Sequence, residues 1–277
     1  MPITLATQFL PYVDEKFATE SKKDLVTNQD FDWAGAHSVK IYKVTTSAMN
    51  DYDRAGVGSN PSRYGAVAGL DATTEELTLT KDRSFTFAVD KLDTDETKRN
   101  LAAASALSRQ LREVVIPEVD AYVLGKIVTG AGTVSSPAAL TKANVYDMIT
   151  AATEALDTEE VPETGRVLLV PPATYTLMKK CPDITMETDI GNDMRLKGVL
   201  GLLDGAVVVK VPASRLPKGV GFILAHPCAT VAPVKLDDYK IHQDPPGISG
   251  DLVEGRIVYD AFVLDNKKKA IYVHKIA

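Results

Sequence analysis

One stretch, Thr94 to Thr129, is long enough to be a backbone on which other elements hang, and its pattern predicts a single long helix. Asp93 is a suitable N-cap, and Glu96 can reach back to the cap amide to close a capping box. Asp95 and Glu96 place acids in the first turn, which suits the positive end of the helix dipole. Leu101, Ala104, Leu107, Leu111, one of Val114 and Val115, then Val119, Tyr122 and Ile127 recur at three- and four-residue steps and form one apolar stripe. Lys98, Arg99, Arg109, Arg112, Glu113 and Asp120 fall mostly off that stripe. Pro117 has no amide hydrogen and crowds the turn before it, which predicts a bend or break around Glu113 to Ile116.

Around this helix the chain has 277 residues, enough for two modest domains or one elaborate one with a sizeable core. No apolar run approaches the length of a membrane span, so no membrane role is expected. The start, MPITLATQFLPYVDEKF, lacks the basic and apolar regions of a secretory signal, and a protein made and kept in a cytoplasm is expected. Cys181 and Cys228 form no CxxC pair, so buried inert thiols are expected rather than a disulfide framework or metal knuckle. The net charge of −6, with basic residues scattered, shows no footprint for gripping a nucleic-acid backbone and disfavours a DNA-binding domain.

Residues 1–37 read as an arm. Their apolar residues are spread among polar ones without a sustained period, so they must pack on the body or on a neighbouring copy, with Phe17 and Trp33 as anchors. Val39 to Thr46 and then Glu76 to Thr80 and Ser84 to Val89 alternate as strands. Between the first two runs lies Met49 to Thr74, a series of turn formers too long for an ordinary hairpin loop. Gly56, Gly58, Gly65 and Gly69 give it joints. Asp51, Asp53, Arg54, Arg63 and Tyr64 at its tip are candidate inter-subunit contacts, since a loop of this length reads as a projection toward a neighbour.

After the long helix, GAGTVSSPAAL marks a boundary, and an α/β region follows. Thr141 is the expected N-cap of a helix Lys142 to Leu156 that turns Val145, Met148, Ile149, Ala152 and Leu156 inward. Val167 to Val170 reads as a buried strand, and Pro171 and Pro172 open a helix that Pro182 closes. Asp183 to Gly201 reads mostly as loop. Ala206 to Val211, Gly221 to Leu224 and Thr230 to Val234 read as strands. Val253 to Leu264 is a long alternating strand, and Asp265 to Lys268 turns it into Ala270 to Ile276.

The motifs of common enzymes are missing. Gly56-Val57-Gly58 begins like a dinucleotide fingerprint, but the third glycine is absent and Pro61 interrupts. There is no Walker loop, no GxSxG elbow, no SxxK and no HExxH. His37, His226, His242 and His274 stand in different elements without ligand spacing and read as surface or hydrogen-bonded structural histidines. No catalytic, cofactor-binding or metal site is expected; a rival enzyme or ligand-binding reading would need a site that assembles only on folding.

Through AMNDYDRAG, LTLTKDRSFTF, LREVVIPEVDAY, LLDGAVVVKVP and VEGRIVYDAFVLDNKKKAIYVH, and through the order of its parts, the chain resembles the major capsid proteins of tailed bacteriophages with the Hong Kong 97 fold, in particular those of phages from low-GC Gram-positive hosts. The resemblance implies an α+β fold. It is divided into an N-terminal arm (1–37), an extended loop (38–92), a peripheral domain (93–130 and 235–268) and an axial domain (131–234 and 269–277). It implies a structural, non-enzymatic protein that assembles with copies of itself into hexamers and pentamers of an icosahedral shell around double-stranded DNA, in the host cytoplasm. The partners implied are a portal, a separate scaffolding protein, and head-decoration or connector proteins. The alternative within the fold is an encapsulin-type nanocompartment shell. Some relatives weld the shell with a lysine–asparagine isopeptide bond. Here no lysine lies between Lys43 and Lys81 and no asparagine between Tyr239 and Asp265, so non-covalent assembly is expected.

Overall fold

The computed structural model describes residues 21–28, 38–44, 46–54, 62–65, 69, 72–92, 103–187 and 201–276. Phe17, Trp33, Leu101 and the Asp93–Glu96 capping box lie outside them. Two compact units result, Trp33–Leu79 on one hand and Thr80–Ala277 with the residues before Trp33 on the other. In the smaller unit, β1 (Ser38–Val44) and β2 (Ala72–Thr78) pair antiparallel from Ser38 opposite Thr78 to Val44 opposite Ala72. Across this ladder Lys43 and Glu75 form an ion pair at 2.9 Å.

In the larger unit, β3 (Lys81–Asp90) leads toward the long helix, whose described part comprises α1 (Ala103–Gln110), a π turn (Leu111–Val115) and α2 (Ile116–Gly130). At the place of the expected bend or break the helix is irregular but uninterrupted. The Ile116 amide donates to the Leu111 carbonyl, five residues back, and the helix widens by one residue. Pro117 then stands in the first turn of the resumed α-helix, where an amide hydrogen is not required. Most of the expected stripe faces inward, Val115 rather than Val114 with Val119, Tyr122 and Ile127, but Ala103 is buried in place of Ala104, and Leu107 and Leu111 are only half-buried. Val119, Val123, Leu124 and Ile127 are the buried residues of α2.

Next come β4 (Thr133–Val134), α3 (Val145–Thr158), β5 (Val167–Val170), α4 (Pro172–Lys180) and α5 (Pro182–Glu187). Asn144 rather than Thr141 is the N-cap of α3; its side chain accepts from the Thr141 amide at 2.7 Å, and Thr141 forms the preceding turn. Val145, Ile149, Ala152 and Leu156 are buried as expected. Pro182 closes α4 but also opens α5, which buries Ile184, so the start of the expected loop is helical.

The remaining strands are β6 (Leu202–Leu203), β7 (Ala206–Lys210), β8 (Val220–Ala225), β9 (Thr230–Val231), β10 (Val234–Gln243), β11 (Gly250–Tyr259), β12 (Phe262–Val263) and β13 (Ile271–Lys275). Together with β4 and β5, four of them form a mixed six-stranded sheet in the order β4-β13-β8-β5-β7-β6. Every residue of β5 and β8 is buried, as their unbroken apolar sequences require of strands covered on both faces. This sheet, α3, α4 and the inner face of α2 share one apolar core. A second sheet, in the order β10-β11-β3, is antiparallel throughout. Gly255 in its central strand leaves room for Phe85: a Cβ there would come within 2.4 Å of the Phe85 ring, which stacks on Phe87 and Tyr239.

Candidate inter-subunit and anchoring sites

The described part of the loop tip is a compact turn. The Asp53 amide donates to the Arg63 carbonyl at 2.9 Å, and the Tyr64 and Gly65 amides both donate to Ser62, to its hydroxyl and carbonyl oxygens respectively. Gly65 takes a φ of +88°, a conformation that favours glycine. These bonds bring Tyr52 edge-on to Tyr64, with ring centroids 5.1 Å apart. Asp51, Asp53, Arg54, Arg63 and Tyr64 are all exposed, and Arg54 and Arg63 pair with no carboxylate among the described residues. Sequence reasoning missed Met49, which is 99% exposed, and Tyr52. The signal was an apolar and an aromatic side chain set among polar turn formers. The surface is thus aromatic and apolar, with two arginines and two aspartates around it.

Two buried carboxylates tie chain segments to the larger unit. Asp120 of α2 has no exposed surface and accepts from the Ser21 hydroxyl at 2.7 Å, the Lys22 amide at 3.0 Å and the Arg215 guanidinium at 2.7 Å. It was expected off the apolar stripe, but this set of donors makes its burial tolerable. Beyond it Val26 is buried in the main core, and the Asn28 amide donates to the Thr230 carbonyl at 2.7 Å. Residues 21–28 of the expected arm are therefore built into this unit.

Asp260, 1% exposed, accepts four hydrogen bonds: from the Thr80 amide and hydroxyl at 2.8 and 2.7 Å, the Tyr122 hydroxyl at 2.8 Å and the Ala261 amide at 2.8 Å. Burial pushes the carboxyl up, but these donors outweigh burial and hold it below the ordinary carboxylate value. Burial and then the bond to Asp260 push the Tyr122 phenol up to about 12. Thr80 is the residue at which the chain leaves the smaller unit, so Asp260 fixes that point of departure.

Of the four histidines, His226, His242 and His274 lie among the described residues and His37 outside them. Buried His274 stacks on Phe222; its Nε2 donates to the Ala138 carbonyl at 3.1 Å, and its Nδ1 accepts from the Ser135 hydroxyl. His226 Nδ1 accepts from the Cys228 amide. Cys181 is buried and Cys228 half-buried, and neither forms a disulfide. Among the described residues no cluster of His, Cys, Asp or Glu is arranged to hold a metal ion, and no helix is long and apolar enough to cross a membrane.

Solved capsid structures match this arrangement over almost its whole length. That of cyanophage P-SCSP1u is 16% identical with a TM-score of 0.77, covering 98% of this chain and 93% of that one. A structure from Mycobacterium phage Che8 is 20% identical, with a TM-score of 0.71 and coverage of 99% and 96%. The capsid of the myovirus XM1 is 13% identical, with a TM-score of 0.64 and coverage of 100% and 99%. The fold is the Hong Kong 97 fold of phage capsid subunits. The chain belongs to the phage capsid protein family, whose model matches residues 72–273, and is a major capsid protein, the subunit of a virion shell built from copies of itself. No curated protein sequence matches it.

Proposed function

We propose that this subunit assembles non-covalently into hexamers and pentamers of an icosahedral shell around double-stranded DNA. The loop tip would serve as a contact to the next subunit. The observation that carries this reading is the tip itself: a hairpin unit distinct from the larger unit ends in exposed Met49, Tyr52 and Tyr64, with Arg54 and Arg63 beside them and no carboxylate partner among the described residues. Exposed aromatic and arginine side chains are the residue types that dominate protein interfaces once buried. Arginine's planar fork also suits two-point contact with a neighbour's carboxylate.

In this reading residues 1–37 are the N-terminal arm, 38–92 the extended loop, 93–130 and 235–268 the peripheral domain, and 131–234 and 269–277 the axial domain. Phe17 and Trp33 anchor the arm. The role is structural rather than catalytic. Assembly takes place in the host cytoplasm, with a portal, a separate scaffolding protein and head-decoration or connector proteins as partners. The net charge of −6 suits a container from which DNA must be released.

Electron microscopy of the purified protein tests the reading, which expects rings and closed shells and is overturned by a stable monomer. Arg54→Glu with Arg63→Glu should stop capsomer joining while the subunit stays folded. Particles boiled in denaturant should release single-chain bands, and a ladder of covalent oligomers would exclude non-covalent assembly.

A further inference from the structure

Between the long helix and the strands β3 and β11 lies a cleft of about 140 Å³. Its walls follow from strand register and helix period. Ile257 and Tyr259 alternate along β11 on the face of Gly255, and Phe85 of β3 stands opposite Gly255, so all three side chains meet the helix. Val115 and Val119, four residues apart, return one face of the helix to them. Val114 stands at the side, 45% exposed.

The mouth of the cleft is polar, and its two charges cancel: Arg83 Nε donates to Glu118 Oε1 at 2.7 Å. Deeper in, Tyr259 is only 2% exposed and packs edge-on to Tyr122. Its hydroxyl has no hydrogen-bond partner among the described residues. Burial and then Glu118 push this phenol up while Arg83 draws it down, so the hydroxyl lies on the side of the ion pair, toward the mouth. A buried hydroxyl without a partner forfeits the hydrogen bonds it makes in water, and a bound molecule can restore them.

We propose that the cleft is a binding site for a neutral molecule of the phenol class, one aromatic ring carrying one hydroxyl. The ring lies among Phe85, Val115, Val119 and Ile257, and the hydroxyl accepts from Tyr259 and donates to Glu118. An apolar cavity of about 150 Å³ takes up benzene, so the volume suits a single ring. A charged head of either sign is disfavoured, because an anion meets Glu118 and a cation meets Arg83 at a mouth already balanced. The site lies within one subunit and does not depend on how subunits join.

Titration of the full-length protein with phenol, followed by saturation-transfer NMR, tests the assignment. Transfer to phenol is expected, with weaker binding of toluene, benzoate and benzylamine. Tyr259→Phe removes only the unpartnered hydroxyl and should weaken phenol about ten-fold while leaving toluene as it was. Val114→Phe, at a position open enough to take a larger side chain, should fill the cleft and remove both signals with the circular dichroism unchanged. No transfer to phenol, or transfer that survives in folded Val114→Phe, would overturn the site. Unchanged phenol affinity in Tyr259→Phe, or loss of both ligands there, would overturn the hydroxyl contact. Benzoate or benzylamine bound as tightly as phenol would overturn the neutral class.

Discussion

Asp120 and Arg215, 95 residues apart in the chain, meet at 2.7 Å with both side chains buried. The pair joins α2 to the turn after β7 and, through the other bonds to Asp120, holds the start of the described chain. Removing one partner leaves an uncompensated buried charge, at a cost of about 3–5 kcal/mol. Asp120→Ala is therefore expected to destabilise the free subunit by that amount in urea, and to open residues 21–28 to proteolysis. A loss below about 1 kcal/mol would mean that the pair is not desolvated in solution.

Leu124 and Leu111 lie on the same long helix, the first with no exposed surface and the second half-buried at the start of the π turn. Leu124→Ala should cost about 2–5 kcal/mol through lost transfer energy and the cavity left behind. Leu111→Ala should cost distinctly less, because water already reaches it. Equal losses in denaturant titrations would show that the helix is turned differently.

Much of this architecture was legible because local pattern and burial agree. Val167 to Val170 is a strand with every residue buried, and α3 buries the face its periodicity marks. The sequence reading failed where a distant partner or a local irregularity decided the outcome. Asp120 belongs inside only because Arg215 and the Ser21 segment meet it there. Pro117 breaks nothing because the π turn moves the missing donor out of the ladder. β10 went unread since Lys235, Asp237, Asp238 and Lys240 leave its sequence without a sustained apolar alternation, although its pairing from Leu236 onward is regular. The tip residues were legible as exposed chemistry, but the Tyr52–Tyr64 contact depends on backbone bonds across the loop that no spacing rule announces.

Gly255 accommodates the ring of Phe85, and a Cβ there would also come within 2.8 Å of Tyr239. Gly255→Val forces the stack apart and is expected to cost about 1–3 kcal/mol. In the Phe85→Ala background the same substitution should cost less, since the ring it collides with is gone. Additive losses in the double variant would place the strain elsewhere.

Tyr122 donates to Asp260, and its phenol is raised to about 12. A raised pKa means that the folded state favours the neutral phenol. Its contribution is complete below the unfolded value of about 10 and is lost as pH rises toward 12. The stability difference between the unaltered subunit and Tyr122→Phe should be flat from neutral pH to about 10 and shrink above it. A difference that begins to fall near pH 8 would contradict the raised phenol.

Asp260 presents the opposite sign. Its carboxyl is held below the ordinary value because four donors favour the ionised form more strongly than burial opposes it. A depressed folded pKa gives stability that is present in full above the unfolded value of about 4 and disappears as pH falls through the folded value. Asp260→Asn keeps the shape but replaces one acceptor oxygen by a donor, setting an NH2 group against Thr80 or against Tyr122 and Ala261. With a buried donor left facing donors, the cost at neutral pH should be about 1–3 kcal/mol. Urea unfolding of both subunits across pH should show a constant difference from about pH 8 down to 5 and a narrowing one below about 4, where the unfolded carboxyl begins to take up its proton while the native one still resists it. Because Thr80 loses its anchor in both cases, hydrogen exchange at the Thr80 amide should rise in the variant at neutral pH and in the unaltered protein only on acidification. A difference that widens on acidification would refute the depressed carboxyl, and unchanged exchange at Thr80 in the variant would refute the anchoring role.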